Sequence, residues 1–174
     1  MIENNMFQIN YWKSTVLNFK EKKLKLKTLL KNYPEKKHGI QTFSTNRQED
    51  RSGFAEAFTN LFKDELGLLS QNIKKDLYIE DIWSVSYKSG EFHTPHNHGT
   101  TGLTGILYLD MPKDSPSTSY IKPWNDEYSD RTVYYNMPVK EGDLIITPRF
   151  LNHFTLPNKS KKIKRIISFD IGML

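Results

Sequence analysis

The chain has 174 residues, a hydrophobic content of 37% and a formal net charge of +5 at pH 7. This length and composition are typical of one folded domain with its own core. The chain has no cysteine, which excludes a zinc finger, an iron–sulfur protein and a disulfide framework. No stretch approaches the roughly 20 apolar residues of a membrane span. The first residues lack the pattern of a secretory signal, so we expect a cytoplasmic protein.

The N-terminal half predicts two helices separated by an irregular segment. Residues 11–32 carry apolar side chains at helical spacing, and Pro34 lies just beyond them. Residues 35–51 are polar and show no periodicity. Residues 53–73 again have apolar side chains on one helical side, with Ser52 as the expected N-cap.

From about residue 80 the pattern changes to short strands. Residues 82–88 alternate and place Trp83, Val85 and Tyr87 on one face, which predicts a half-buried strand. Further strands are predicted at 93–98, 103–110, 118–122, 132–137, 143–147, 152–156 and 163–171. Residues 111–131 form the least regular stretch of this region, which indicates either a functional lid or a mobile loop.

Helices followed by many short strands predict an α+β fold built on a double-sheet jelly roll. We expect a single domain over residues 1–174. In it, residues 1–79 would be a mainly helical support and residues 80–174 the jelly-roll core. The helices would pack on the outside of one sheet.

Much of the positive charge lies in two tracts, residues 20–27 and 159–165. Basic tracts can bind phosphate backbones. We interpret the first as the solvent-facing side of a helix and the second as a turn entering a strand. A nucleic-acid-modifying enzyme therefore stays a weaker alternative.

Four histidines indicate a metal site. His93, His96 and His98 lie within residues 90–105, and His153 lies near the end of a later apolar run. Positions two apart on a strand share a face, so His96 and His98 would project together. Imidazole is a common ligand of iron, copper, nickel and zinc. His93 would face the other way on a regular strand, unless a bulge at Pro95 turns it.

Five blocks, in this order, resemble the 2-oxoglutarate/Fe(II)-dependent oxygenases. They are Gly90-x-Phe-x-x-Pro-His96-x-His98, Gly102–Leu109, Glu141–Pro148, His153 and Arg165–Phe169. The likeness is to small bacterial and phage members that carry His-x-His in place of the usual His-x-Asp. It covers roughly residues 80–172.

The resemblance implies a double-stranded β-helix, the cupin-like form of the jelly roll. It implies Fe(II) held by His96, His98 and His153, with Arg165 binding the distal carboxylate of 2-oxoglutarate through its planar guanidinium. Tyr108 would be a hydroxyl donor to the same cosubstrate. Ser168 is a further candidate contact, although it would face away from Arg165 on a regular strand.

The implied reaction uses O₂ to convert 2-oxoglutarate to succinate and CO₂ while an unidentified substrate is hydroxylated. A peptidyl side chain is a reasonable substrate class. Trp83 and Tyr87 would help to wall the pocket.

His98 stands where the family usually has a carboxylate, and a neutral ligand there makes the site more positive by one charge. Two alternatives therefore stay open. One is a cupin-type dioxygenase or isomerase with three histidine ligands and no 2-oxoglutarate. The other is a jelly-roll binding or structural domain without catalysis. The sequence does not indicate an oligomeric state.

Overall fold

A computed structural model describes residues 8–37 and 42–174. Within them the chain forms three α-helices, one short 3-10 helix and ten strands. The helices are α1 (Phe19–Leu29), the 3-10 helix Leu30–Asn32, α2 (Phe54–Leu61) and α3 (Lys63–Ile73). The strands are β1 (Trp12–Thr15), β2 (Ser44–Thr45), β3 (Leu77–Tyr87), β4 (His93–His96), β5 (Leu103–Asp110), β6 (Thr118–Ile121), β7 (Tyr134–Asn136), β8 (Asp143–Pro148), β9 (His153–Thr155) and β10 (Lys164–Met173).

The strands make two antiparallel sheets. The larger has six strands in the order β1-β8-β5-β10-β3-β2, and the smaller has four in the order β4-β9-β6-β7. Side chains from both sheets, such as Ile145 and Ile166 from the larger and Tyr120 from the smaller, share one buried cluster. The two sheets therefore face each other as the leaves of the expected jelly roll.

The other face of the six-stranded sheet is covered by the helices. The ring of Phe58, in α2, stacks on the ring of Phe62, at the C-terminal end of α2, and the two centroids are 4.4 Å apart. The ring centroid of Phe58 also lies 4.9 Å from that of Phe169 in β10. All three side chains are fully buried. Burying a side chain of this size stabilises the fold by about 1.5–3 kcal/mol. The packing of helices on the outside of one sheet agrees with the prediction.

Strand β10 is the central element, because its two faces enter different cores. Ile167, Phe169 and Ile171 pack against the helices, whereas Ile166 packs against the smaller sheet. Both faces are buried, so this strand does not show the simple alternation of apolar and polar residues that marks a strand with one wet face. Its register determines which polar side chains enter the space between the sheets.

The N-terminal predictions need three corrections. The predicted helix over residues 11–32 begins only at Phe19, and residues 12–15 are strand β1, an edge strand paired with β8. The predicted second helix is two helices, because Phe62 leaves helical geometry with φ −113° and ψ 22°. Its N-cap is Gly53, with φ 75°, and not Ser52; glycine adopts this left-handed conformation without steric cost.

The N-terminal part contributes strands as well as helices, since β1 and β2 form the two edges of the six-stranded sheet. Strand β2 lies within the segment predicted as irregular, and residues 38–41 of that segment lie outside the described residues. The single domain over 1–174 stays a prediction. In the described part of the chain, no helix has the length and apolar character needed to cross a membrane.

Candidate metal centre

Three histidines converge between the two sheets. His96 of β4 lies directly opposite His153 of β9 in the strand register, and their ring centroids are 4.4 Å apart. His98 follows the end of β4 and is held by a backbone hydrogen bond from its N–H to the carbonyl of Arg149, 3.0 Å long. One nitrogen from each ring can be chosen so that all three lie within 4.8 Å of one another.

The hydrogen bonds of the three rings determine which nitrogens are free. Nδ1 of His96 lies 2.8 Å from the carbonyl oxygen of Thr94, and Nδ1 of His153 lies 3.0 Å from that of Leu151. A carbonyl only accepts, so both Nδ1 atoms carry the hydrogen and donate. Nδ1 of His98 lies 2.7 Å from Oδ1 of Asp170. In each ring Nε2 is left as the atom with a free lone pair, as a metal requires.

The surroundings keep the imidazoles of His96 and His153 neutral. Burial, together with the positive charge that neighbouring histidines would carry, lowers the pKa of His153 to about 3. The pKa of His96 is lowered for the same main reason. A metal binds the neutral form of histidine, so these two rings are in the form that binds a metal at neutral pH.

His93 enters the same pocket because the pairing of β4 with β9 has an irregularity between His93 and His96. Its ring stacks on that of His96, with the two centroids 3.9 Å apart, and its centroid lies 4.1 Å from that of the Phe43 ring. The bulge considered for Pro95 therefore does turn the side chain. His93 nevertheless lies outside the group of three converging histidines.

The four histidines border a cavity of about 280 Å³. Strand β3 supplies one wall through Trp83, Val85 and Tyr87, the three residues predicted to share a face. At the mouth, the guanidinium of Arg47 lies 4.0 Å from the centroid of the Trp83 ring. Apolar walls of this kind exclude water and strengthen electrostatic interactions inside the pocket.

Arg165, the expected anchor of the cosubstrate, is not among the residues that border this cavity. Its Nε donates to the hydroxyl of Ser86 at 2.8 Å. Its guanidinium pairs with Glu35 at 3.3 Å and with Asp110 at 3.6 Å. The structure places Arg165 outside the cavity lining, where Ile166 and Ser168 are the β10 residues, so its role as the anchor stays a prediction from the sequence.

The cation on the same side of β10 as Ile166 and Ser168 is Lys164, which, like Arg165, does not itself border the cavity. It is fully buried, and its Nζ donates to the carbonyl of Pro116 at 2.7 Å. The ammonium also lies 5.2 Å from the ring centroid of Tyr87 and 5.8 Å from that of Tyr108. A signal for this register was present in the sequence. Positions 167, 169 and 171 are all apolar, whereas 164, 168 and 170 are polar, so the polar set belongs to the face with the site.

The two other predicted cosubstrate contacts lie in different places. Ser168 borders the cavity and is almost fully buried. Tyr108 is fully buried beside Lys164, and its hydroxyl donates to Thr118 at 2.9 Å. Burial raises the pKa of Tyr108 to about 12, so its hydroxyl keeps its proton. Sequence reasoning missed Lys164, Asp170 and Arg47.

The burial of Lys164 predicts a specific dependence of stability on pH. Burial lowers its pKa from 10.5 to about 7. Between these two values the unfolded chain holds a proton that the folded chain has lost, so the free energy of unfolding rises with pH in this window. Below pH 7 both states are charged, and the folded state carries the full cost of the buried charge.

Lys164→Met removes this titration. We expect the variant, relative to the native chain, to be most stabilised at or below pH 7 and least at pH 10. Urea unfolding of both proteins at pH 6.5 and pH 9.5 measures the difference. A difference that does not change with pH would contradict the burial of a titrating ammonium at this position.

The fold and the converging imidazoles describe a jelly-roll protein with three histidines placed so that they could hold a metal ion. Residues 81–170 match the model of the family described as "Putative 2OG-Fe(II) oxygenase", where 2OG is 2-oxoglutarate. The match spans more than half of the chain. The protein belongs to this family, as the sequence resemblance indicated. No curated protein sequence matches the chain significantly.

Solved structures show the same fold at low sequence identity. The epimerase SnoN in complex with Fe³⁺, α-ketoglutarate and nogalamycin RO has a TM-score of 0.71 and 14% identity, over 94% of this chain and 78% of that one. HygX from Streptomyces hygroscopicus, with nickel, 2-oxoglutarate and hygromycin B, has a TM-score of 0.68 and 10% identity, over 94% and 83%. The viral collagen prolyl hydroxylase of Paramecium Bursaria Chlorella virus-1 has a TM-score of 0.62 and 17% identity, over 92% and 94%. The predicted jelly roll is confirmed.

Proposed function

We propose that this protein is an Fe(II)- and 2-oxoglutarate-dependent oxygenase in which His96, His98 and His153 hold the metal and Lys164 binds the distal carboxylate of 2-oxoglutarate. The observation that carries the proposal is the convergence of three imidazoles whose Nδ1 atoms are all engaged in hydrogen bonds. Three free Nε2 atoms then face one space. Three protein ligands leave the other positions of a six-coordinate metal to cosubstrate and O₂.

The donor set fits iron. Neutral imidazole suits divalent iron, nickel, copper and zinc, and the family of the chain selects iron among them. SnoN binds Fe³⁺ and HygX binds nickel within the same fold. When bound, iron(II) and 2-oxoglutarate couple the oxidative decarboxylation of the cosubstrate to the oxidation of a substrate.

Lys164 fits the far end of a dicarboxylate. It lies on the same face of β10 as Ile166 and Ser168, which border the cavity, and its ammonium contacts Tyr87, which also borders it. An ammonium has three N–H donors, and the described residues accept one of them, at Pro116. Two donors are therefore available to an anion in surroundings where a charge-assisted hydrogen bond is strong.

The remaining residues of the pocket exclude water and offer a few polar contacts. Trp83 and Val85 give the cavity an apolar wall, and Ser168 offers a hydroxyl beside it. Among the described residues that border the cavity, Arg47 is the one with a permanent charge, and it lies at the mouth. The substrate class stays a prediction, a peptidyl side chain, while nogalamycin and hygromycin B are the molecules bound in the similar structures.

The proposal is tested by adding Fe(II) and then 2-oxoglutarate to the metal-free protein without oxygen. We expect a weak charge-transfer absorption band that appears only when both are present, since it requires the cosubstrate to chelate the metal. Admitting O₂ should then produce succinate. The control is the same titration with succinate, which lacks the keto group and should give no band.

Two other outcomes have clear meanings. Iron binding without the band would favour the cupin-type reaction that uses three histidines and no 2-oxoglutarate. Failure of the native chain to bind iron at all would contradict the proposal and favour a jelly-roll domain without catalysis.

A further inference from the structure

A buried carboxylate contacts one of the three histidines. Asp170 of β10 is 6% exposed, and its Oδ1 lies 2.7 Å from Nδ1 of His98. Nε of Arg149 lies 3.9 Å from the same oxygen. Asp170 does not border the cavity, and His98 is the residue that connects it to the cavity.

The direction of this hydrogen bond follows from a third residue. The hydroxyl of Thr104 lies 3.0 Å from Nδ1 of His98 and donates its single hydrogen to the carbonyl of Phe169 at 3.1 Å. The oxygen of Thr104 therefore accepts from His98, as does the carboxylate of Asp170. With two acceptors around it, Nδ1 of His98 must carry the hydrogen, and Nε2 is directed to the metal space.

The three histidines differ in what their Nδ1 atoms meet. His96 and His153 donate to backbone carbonyls, which are neutral, whereas His98 donates to a carboxylate. None of the described residues that border the cavity is Asp or Glu. Before 2-oxoglutarate binds, three neutral ligands would thus leave both charges of a divalent metal uncompensated within the pocket. One negative charge lies a single imidazole away, at Asp170.

We infer that Asp170 is the positioning residue of the metal site: it fixes the His98 ring and supplies through it the negative charge that the three imidazoles lack. The inference rests on the proposed function, because it assumes that His98 binds the metal. A carboxylate behind a ligating histidine makes the imidazole a stronger electron donor, and removing such a partner typically lowers metal affinity 10- to 100-fold. Because this effect on metal affinity depends on the charge of Asp170, an experiment can distinguish it from an effect of side-chain packing.

Asp170→Asn tests the charge directly. The amide keeps the shape of the side chain, and its oxygen can still accept from His98, but the negative charge is gone. We expect Co²⁺, added to the metal-free protein without 2-oxoglutarate, to bind about 10- to 100-fold more weakly in calorimetric titration. The visible absorption bands of the bound Co²⁺ should shift as well, because the donor strength of one ligand has changed.

A matched control is Asp143→Asn, since Asp143 is another buried carboxylate, hydrogen-bonded by Thr15 at 2.8 Å and placed outside the residues that border the cavity. We expect its Co²⁺ affinity to stay within about twofold of the native value. Asp170→Asn with native affinity and native Co²⁺ spectrum, while His98→Ala loses the metal, would overturn the inference and leave the proposed function intact. A native chain that binds no Co²⁺ or Fe²⁺ would instead refute the proposed function.

A second variant keeps the test decisive if Asp170→Asn does not fold. Arg149→Gln removes the cation that partly neutralises Asp170 and leaves the carboxylate in place. If the charge of Asp170 acts on the metal, this variant should bind Co²⁺ a few-fold more tightly than the native chain. Weaker binding by Arg149→Gln in a folded protein would overturn the inference.

Discussion

Lys164→Met is expected to weaken the binding of 2-oxoglutarate on the order of 100-fold. Removing one partner of a buried, hydrogen-bonded charge pair costs about 2–5 kcal/mol, because the remaining charge is left without compensation. Methionine has nearly the same length as lysine and fills the same space beside Tyr87 and Tyr108, but it lacks the ammonium that lies over their rings. The dissociation constant can be measured under nitrogen from the charge-transfer band of the iron-loaded protein.

The matched control is Arg165→Met, one residue along the same strand. Arg165 is engaged by Ser86, Glu35 and Asp110 away from the cavity. We expect this variant to bind 2-oxoglutarate within about twofold of the native chain while unfolding at a lower temperature. The reverse result, with Arg165→Met losing the cosubstrate and Lys164→Met keeping it, would restore the assignment made from the sequence.

His153→Ala is expected to reduce Fe(II) affinity by at least about 100-fold and to lower succinate formation to background. His153 is the proposed ligand that comes from β9, so its loss leaves two imidazoles from one short segment and no third histidine of the proposed set. A metal site that loses one of three protein ligands cannot retain its geometry. Calorimetric titration with Fe(II) without oxygen measures the affinity, and succinate can be quantified after air is admitted.

The control for this prediction is His93→Leu. His93 is in the same pocket and stacks on His96, yet it lies outside the converging group. We expect its Fe(II) affinity to fall no more than a few-fold, through the lost ring contact. If both variants lost Fe(II) affinity equally, His93 would be a ligand, and the proposed ligand set of His96, His98 and His153 would be wrong.

Much of the jelly roll could be predicted from residue alternation. Strand β3 was found because Trp83, Val85 and Tyr87 alternate with smaller side chains, and all three do border the cavity. The two-residue spacing of His96 and His98, with a distant His153, was enough to predict the ligand set that now stands as a proposal. These features depend on local periodicity, which the sequence displays directly.

Features that depend on pairing between distant strands were harder to predict. Strand β1 was assigned to a helix because Trp12, Val16 and Phe19 also fit helical spacing, and its true partner is the distant strand β8. The choice between Lys164 and Arg165 depends on the register of β10 between two buried faces. His93 required an irregular pairing with β9. For β1 and His93 tertiary contacts decided between alternatives that local sequence left equal, whereas for β10 the apolar residues at 167, 169 and 171 carried a signal.

The candidate site takes its parts from both leaves of the sandwich. His96 and His153 belong to the four-stranded sheet, whereas Lys164 and Asp170 belong to the six-stranded sheet that the helices support. An occupied site would therefore link the six-stranded sheet, which the helices support, to the four-stranded sheet. The bound cofactors, as well as the apolar core, would then set the distance between the two sheets. The four-stranded sheet would be attached most firmly at the site of the reaction.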